Sequence, residues 1–283
     1  MQLVQISDTH IVEDDVVTRG HFRTAERLRH AIAAINAMRP LPDLVLHTGD
    51  ITDNGTPEEY THAIQLLDEL RCRWMVMPGN HDLRDPMRDA FPELRTATNG
   101  MSHLSYAIDD YPVRILCCDS VVPDLVDGEL CPERLQWLSD RLAEAPDAPT
   151  VVALHHPPFA TGMSWTAPSH LRAGGPELAE LVAANPQVVR LIAGHVHRPI
   201  SALFAGVLAV TAPALSYPFG LDLGPEQRFE LTFEPPGMSV HVWYDDALQG
   251  QQKLITHTVP VGDWPQPIIL RSAINAPGAQ ESS

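Results

Sequence analysis

Trp74-Met75-Val76-Met77-Pro78-Gly79-Asn80-His81-Asp82 decides the reading of this chain. An apolar run of strand length ends at a glycine, and the turn then delivers an amide, an imidazole and a carboxylate in succession. Four other segments have the same construction. Leu3-Val4-Gln5-Ile6 leads into Asp8-Thr9-His10, and Leu44-Val45-Leu46 leads into Gly49-Asp50. Val151-Val152-Ala153-Leu154 leads into His155-His156, and Val189-Arg190-Leu191-Ile192-Ala193 leads into Gly194-His195-Val196-His197. In layered α/β proteins the loops leaving strand ends are where ligands bind. The chain therefore brings a set of metal-type donors to one rim of its core.

Imidazole nitrogen suits zinc, iron and manganese, while carboxylate and amide oxygens suit the harder ions among them. Asp8, His10, Asp50, Asn80, His195, His197 and one of the His155-His156 pair make seven donors, more than one ion can use. Two ions about 3.5–4 Å apart, sharing a carboxylate, would use them all. Taken singly, each motif reads better as a turn, a cap or an alternating strand pair. Five of them in order at strand ends do not.

The set Asp-x-His, Gly-Asp, Gly-Asn-His-Asp, His-His and Gly-His-x-His resembles the calcineurin-like metallophosphoesterase superfamily over roughly the first 200 residues. Within it the chain is most similar to the bacterial class III cyclic-nucleotide and glycerophosphodiester phosphodiesterases. That resemblance implies that Asp8, His10 and His197 hold a first metal. It implies that Asn80, His156 and His195 hold a second, with Asp50 bridging and His81 beside the reacting phosphate. Adjacent strand residues point oppositely, so only one of His155 and His156 faces the metals. The His-x-Pro context favours His156, with His155 as a hydrogen-bonded support. The implied cofactors are two divalent ions, of iron, manganese, zinc or cobalt.

The 283 residues, 44% of them hydrophobic, are enough for one large core. The net charge of −17 argues against nucleic acid or an anionic membrane as a partner, so attraction for an anionic substrate must be local. Lys253 is the only lysine, which excludes P-loop or Schiff-base chemistry at these motifs. Cys72, Cys117, Cys118 and Cys131 include no Cys-x-x-Cys pair and read as small hydrophobes in a reducing compartment. The N-terminus lacks a secretory pattern, and no apolar run approaches the roughly 18 residues of a membrane span. A cytoplasmic location is expected.

Between the motifs, Phe22, Ala25, Leu28, Ile32 and Ile35 predict a helix stopped by Pro40. Thr56-Pro57-Glu58-Glu59 is a capping box opening a helix to about Leu70. Pro132 to Leu142 and Pro176 to Ala184 predict two more, and Leu104–Ile108 with Val113–Cys118 a hairpin. After His197, Ile200–Phe204 and Val207–Thr211 predict another hairpin. Arg228–Phe233, Ser239–Tyr244 and Lys253–Val259 predict strands that complete a sheet rather than forming a second core. The expected fold is α/β, a four-layer αββα sandwich with a strand-rich C-terminal extension. One domain is expected over residues 1–260, with its core at about 1–212 and the extension at about 213–260. A partly disordered tail follows from 261 to 283, and association of copies would run through the extension.

Other residues are read more plainly. Asp82 is either an acceptor orienting His81 or a helix cap. Asp119-Ser120 is structural and His47 a packed histidine. Phe159 to Leu171 is too irregular for a strand or helix and is expected to line the pocket, with Ser216 to Gly220 a weaker candidate for the same wall. The expected reaction is hydrolysis of a small phosphodiester by a metal-bridging hydroxide, with His81 neutralising phosphoryl charge. The alternatives are a broad phosphomonoesterase or a non-catalytic scaffold of the same fold.

Overall fold

The apolar runs fold as short strands separated by helices, in the computed structural model that describes residues 1–14, 16–98, 100–163, 170–224, 228–246, 251–263 and 265. In chain order these are β1 (Gln2–Ile6), α1 (Thr24–Ala37), β2 (Leu44–His47), α2 (Pro57–Leu67), β3 (Trp74–Val76), α3 (Arg84–Ala90) and α4 (Pro92–Ala97). Then come β4 (Tyr106–Ile108), β5 (Arg114–Cys118), β6 (Gly128–Glu129), α5 (Pro132–Glu144), β7 (Thr150–Leu154), β8 (Leu171–Ala173) and α6 (Gly175–Ala184). The chain ends with β9 (Val188–Ala193), β10 (Ser201–Phe204), β11 (Val207–Thr211), β12 (Gly237–Asp246) and β13 (Gln251–Pro260).

One sheet has the order β13-β12-β1-β2-β3 and the other β10-β11-β9-β7-β5-β4. Strands β1, β2 and β3 are mutually parallel, as are β5, β7 and β9, so each sheet sends several strand ends the same way. Strand alternation explains the layering. Ile115, Cys117, Val151 and Ala153 join the first sheet, α1 and α2 in the larger core. Their neighbours Leu116, Cys118, Val152 and Leu154 join Leu138 and Leu142 of α5 and Leu178 and Val182 of α6. The result is helix, sheet, sheet, helix: the αββα arrangement expected. Between the sheets, Gln5 Nε2 donates to Thr48 Oγ1 at 3.0 Å and to the Ala193 carbonyl at 2.8 Å, tying the two layers beneath the loops.

Helix α2 begins as its capping box requires: Glu59 N donates to Thr56 Oγ1 at 3.2 Å, with Pro57 in the first turn. Both expected hairpins form as antiparallel pairs, β4 with β5 and β10 with β11. Strand β12 runs antiparallel to β1 and β13 to β12, so these strands extend the first sheet. The strand expected at Arg228–Phe233 does not form. That segment makes only an isolated bridge, Leu231 to Phe219, because it follows the Pro218–Gly220 loop rather than a strand. Phe22, expected on α1, precedes that helix and packs instead against Tyr217 and Phe219. Strands β6 and β8 form a two-stranded ribbon too short to leave a periodic signal. The tail lies almost wholly outside the described residues. Among the described residues no helix is long and apolar enough to cross a membrane.

Candidate metal centre

Every donor motif leaves the end of a parallel strand. The first sheet supplies Asp8 and His10 after β1, Asp50 after β2, and Asn80 and His81 after β3. The second supplies His155 and His156 after β7, and His195 and His197 after β9. The two sets meet between the sheets, and Asp8, His10, Asp50, His155, His195 and His197 are all buried.

His10 Nε2 lies 3.2 Å from His197 Nε2 and 3.6 Å from Asp50 Oδ2, while His197 Nε2 lies 3.5 Å from Asp8 Oδ1. On the other side, His155 Nε2 lies 3.1 Å from Asn80 Oδ1, 3.3 Å from His195 Nδ1 and 3.4 Å from Asp50 Oδ2. Ligand bonds of about 2.1 Å put neighbouring donors roughly 3.0–3.4 Å apart in octahedral or tetrahedral geometry. Both donor sets fit a divalent ion, and Asp50 Oδ2 belongs to both. Three groups of residues have ligand atoms close enough for an ion: Asp8-His10-Asp50-His197, His155-His156-His195 and His10-Asp53-His81.

The two rings of the histidine pair are engaged differently. His155 aims Nε2 into the donor cluster and donates from Nδ1 to the Thr48 carbonyl at 2.8 Å. His156 has both ring nitrogens hydrogen-bonded elsewhere: its Nδ1 meets Ser120 Oγ at 2.8 Å and its Nε2 meets the Val126 carbonyl at 3.0 Å. The reason is the register of β7. Val151 and Ala153 face the first sheet, so residue 155 continues that inward row and residue 156 the outward one.

The backbone bends sharply to achieve this. Asp8, His10, Asp50, His195 and His197 all have positive φ, between 44° and 71°. Such conformations cost L-residues of order 1–3 kcal/mol each, and they persist where surrounding contacts enforce them, commonly at functional sites. His195 N donates to both oxygens of Asp8 at 3.0 and 3.1 Å, and His81 N to Asp50 Oδ1 at 2.8 Å. Gly79 permits the closest approach, because a Cβ there would run into the Asp50 backbone nitrogen and carboxylate.

A ring of partners orients the donors. Asp53 Oδ1 accepts from His10 Nδ1 at 3.1 Å, the Asp53 carbonyl meets His81 Nδ1 at 2.7 Å, and the Tyr217 carbonyl meets His197 Nδ1 at 2.6 Å. Asp82 neither orients the His81 ring nor caps α3. It accepts from Gly79 N, Ile51 N and the Tyr60 hydroxyl at 2.9–3.1 Å, bracing the Asp50 loop against the Asn80 loop. His47 is a packed histidine, bonded to Thr9 Oγ1 at 2.8 Å.

Burial lowers the pKa of His10, His195 and His197, leaving neutral imidazoles, the form that binds metal. Burial opposes ionisation of Asp50 as well, but the adjacent His155 overcomes it and holds the carboxyl well below the usual carboxylate range. His155 is correspondingly raised to about 9, the attraction of Asp50 outweighing its burial. His81 is also raised, Asp50 again prevailing over burial.

The donors open into a cavity of about 550 Å³ lined by His10, Arg19, Asp50, Asn80, His81 and Tyr217, with Phe219, Phe229, Leu231 and Val126 as an apolar wall. The weaker wall candidate, Ser216 to Gly220, thus supplies Tyr217 and Phe219. Phe219 stacks on the His197 ring at 4.0 Å and Tyr217 on His10 at 5.2 Å. The stronger candidate, Phe159 to Leu171, contributes no described residue to the lining, and its residues 164–169 lie outside those described. Asp53 and Arg19 lie outside every donor motif of the sequence. Asp53 sits three residues after Asp50 on the same loop, which was its only signal; Arg19 has none.

The calcineurin-like phosphoesterase model matches residues 1–199. The chain belongs to that family. It is 36% identical to the probable glycerophosphodiester phosphodiesterase of Arcobacter nitrofigilis over 267 residues, 94% of this chain and 96% of the relative. It is 29% identical to the 3′,5′-cyclic adenosine monophosphate phosphodiesterase of Escherichia coli K12 over 219 residues, 77% of this chain and 78% of the relative. Among solved structures, a dimetal phosphatase from Danio rerio shares the fold with a TM-score of 0.64 at 14% identity, covering 92% of this chain and 96% of that one.

Proposed function

We propose that this chain hydrolyses small phosphodiesters of the glycerophosphodiester or cyclic-nucleotide type, using two divalent ions. The observation that carries the reading is the position of Asp50 Oδ2, within 3.6 Å of His10 Nε2 and 3.4 Å of His155 Nε2, one carboxylate oxygen common to two donor sets. Asp8, His10, His197 and Asp50 would hold the first ion, and Asn80, His155, His195 and Asp50 the second. The mixed nitrogen and oxygen set suits iron, manganese, cobalt or zinc. When bound, a pair of such ions supplies an activated water near neutral pH and neutralises phosphoryl charge.

The chain's own residues do the rest. His81 is fixed at its backbone nitrogen by Asp50 and at Nδ1 by the Asp53 carbonyl, which leaves Nε2 for the cavity it lines. From there it holds a phosphoryl oxygen and can give its proton to the departing alkoxide. Tyr217, Phe219 and Phe229 cover one side and exclude water from the reacting group. The match through the C-terminal strands to a probable glycerophosphodiester phosphodiesterase supports placing glycerophosphodiesters ahead of cyclic nucleotides. Four free cysteines support a reducing, cytoplasmic setting.

The test is metal analysis of the loaded protein with turnover of bis(p-nitrophenyl) phosphate, p-nitrophenyl phosphate, glycerophosphocholine and cyclic AMP. Two ions per chain and faster turnover of diesters are expected. Full activity with one ion per chain overturns the dinuclear reading, and a faster monoester overturns the diester preference.

A further inference from the structure

Arg19 is the one permanent cation among the described residues lining the cavity of a chain whose net charge is −17. It occupies an unusual place. Thr18, Arg19, Gly20 and His21 form a tight turn closed by His21 N donating to the Thr18 carbonyl at 3.1 Å. Arg19 and Gly20 both have positive φ, 50° and 71°, the signature of a type I′ turn. Glycine or asparagine is the usual occupant of the first of these positions, and arginine there is strained. The turn is anchored by buried Phe22, whose ring packs on Tyr217 at 5.5 Å, so the strained residue is held at the cavity mouth.

The guanidinium is only loosely engaged. Its Nε donates to the Tyr217 hydroxyl at 3.4 Å, its Nη2 lies 3.7 Å from Asp53 Oδ1, and about half of the side chain is exposed. A guanidinium carries five donors in a planar fork matched to a carboxylate or phosphate. Asp53 Oδ1 bonds Nδ1 of His10, the far side of that ring from the Nε2 in the donor cluster. Arg19 thus sits one side-chain layer outside the donors. A phosphate held on the donors would not meet it, whereas the ester arm of that phosphate would.

We propose that Arg19 is a specificity-determining residue that binds a second anionic group, a carboxylate or phosphate, on the non-reacting alcohol arm of the substrate. The proposal rests on the phosphodiesterase reading and deepens it: the preferred substrates are diesters with an extra negative charge on one alcohol. Tyr217 holds the guanidinium over the cavity, and Asp53 keeps it from folding away. The aromatic wall then receives the apolar part of the same arm.

The test compares two chromogenic diesters with one leaving group, p-nitrophenyl phenyl phosphate and p-nitrophenyl 4-carboxyphenyl phosphate, on the metal-loaded full chain. Arg19→Asn removes the cation with a residue that tolerates the left-handed turn, and Arg19→Lys restores charge without the fork. The ratio of kcat/KM, carboxylate over parent, is expected to fall about tenfold in Arg19→Asn, through KM, and to recover in part in Arg19→Lys. An unchanged ratio overturns the proposal, whether both substrates lose equally or neither does. Calorimetric binding of the monophenyl and mono(4-carboxyphenyl) esters of methylphosphonic acid makes the same comparison without turnover. If the wild-type chain turns over neither diester, the phosphodiesterase reading fails. The calorimetric ratio then decides Arg19 alone: loss of carboxylate preference in Arg19→Asn upholds it, and equal binding overturns it.

Discussion

Replacing His155 and His156 by alanine, one at a time, tests the proposal that His155 is the ligand of the pair. In the first variant Asn80 Oδ1, Asp50 Oδ2 and His195 Nδ1 stay in place, but the nitrogen 3.1–3.4 Å from all three is gone. Loss of a partner that merely orients a ligand costs about 10–100-fold in metal affinity, so loss of one donor in four should exceed that upper figure. The second ion's dissociation constant is expected to rise more than about 100-fold in His155→Ala, or roughly 2.7 kcal/mol. The first ion, proposed to rest on His10, His197, Asp8 and Asp50, should remain. His156→Ala acts differently. It removes the contacts to Ser120 Oγ and the Val126 carbonyl, and a ring packed 4.6 Å from His195. The result is a hole beside a ligand: about 2–3 kcal/mol of stability and at most about 10–100-fold in affinity for the second ion. Chelator-competition titration followed by metal analysis reads the affinities, and thermal unfolding of the metal-free proteins reads the stability. A His156→Ala variant that loses the second ion, beside a His155→Ala variant that keeps it, would refute the argument from β7 register.

Four other outcomes follow from the same geometry. Asp50→Ala should weaken both ions and Asn80→Ala only the second, since Asp50 Oδ2 faces both donor sets and Asn80 one; metal titration of the two variants checks this. His81→Ala should keep both ions and lose about 10²–10⁴-fold in rate, with a larger loss for alkoxide than for p-nitrophenolate leaving groups, measured by steady-state kinetics on paired substrates. Gly79→Ala should push the Asn80 loop off Asp50, where the new Cβ collides, and depress metal binding and unfolding temperature together. Asp119, fully buried, accepts from Arg84 at 2.6 and 3.0 Å, and this pairing outweighs burial to hold its carboxyl below the ordinary 3.8. Stability from such a depressed carboxyl is present above the unfolded pKa and is lost as pH falls through the folded one. Asp119→Asn should therefore cost about 3 kcal/mol at neutral pH, a gap to wild type that narrows below about pH 4 in unfolding scans.

The donors were legible because each is fixed by local chemistry: a short apolar strand, a turn, then the ligand within two or three residues. Asp8, His10, Asp50, Asn80, His195 and His197 come together between the two sheets, and the two-sheet layering followed from the same runs. Elements without such a local signal escaped. The β6–β8 ribbon is two and three residues long, and Arg228–Phe233 alternates like a strand but finds only the Pro218–Gly220 loop to pair with.

The histidine pair shows where sequence stops and register begins. A parallel strand buried on both faces is apolar on both, so Thr150-Val151-Val152-Ala153-Leu154 does not reveal which of its rows looks toward the other sheet. Only packing decides it. Val151 and Ala153 meet the first sheet while Val152 and Leu154 meet α5 and α6, and the inward row then ends on His155. Arg19 and Tyr217 pose a related problem at longer range. They come from loops 198 residues apart and converge on the cavity mouth, and neither follows a strand that advertises it. Metal-type donors are thus written into strand ends, where local sequence exposes them. On the reading proposed above, selectivity among diesters lies instead with Arg19, on a turn away from the strand ends, and with the side chains of Tyr217 and Phe219, whose loop also orients His197.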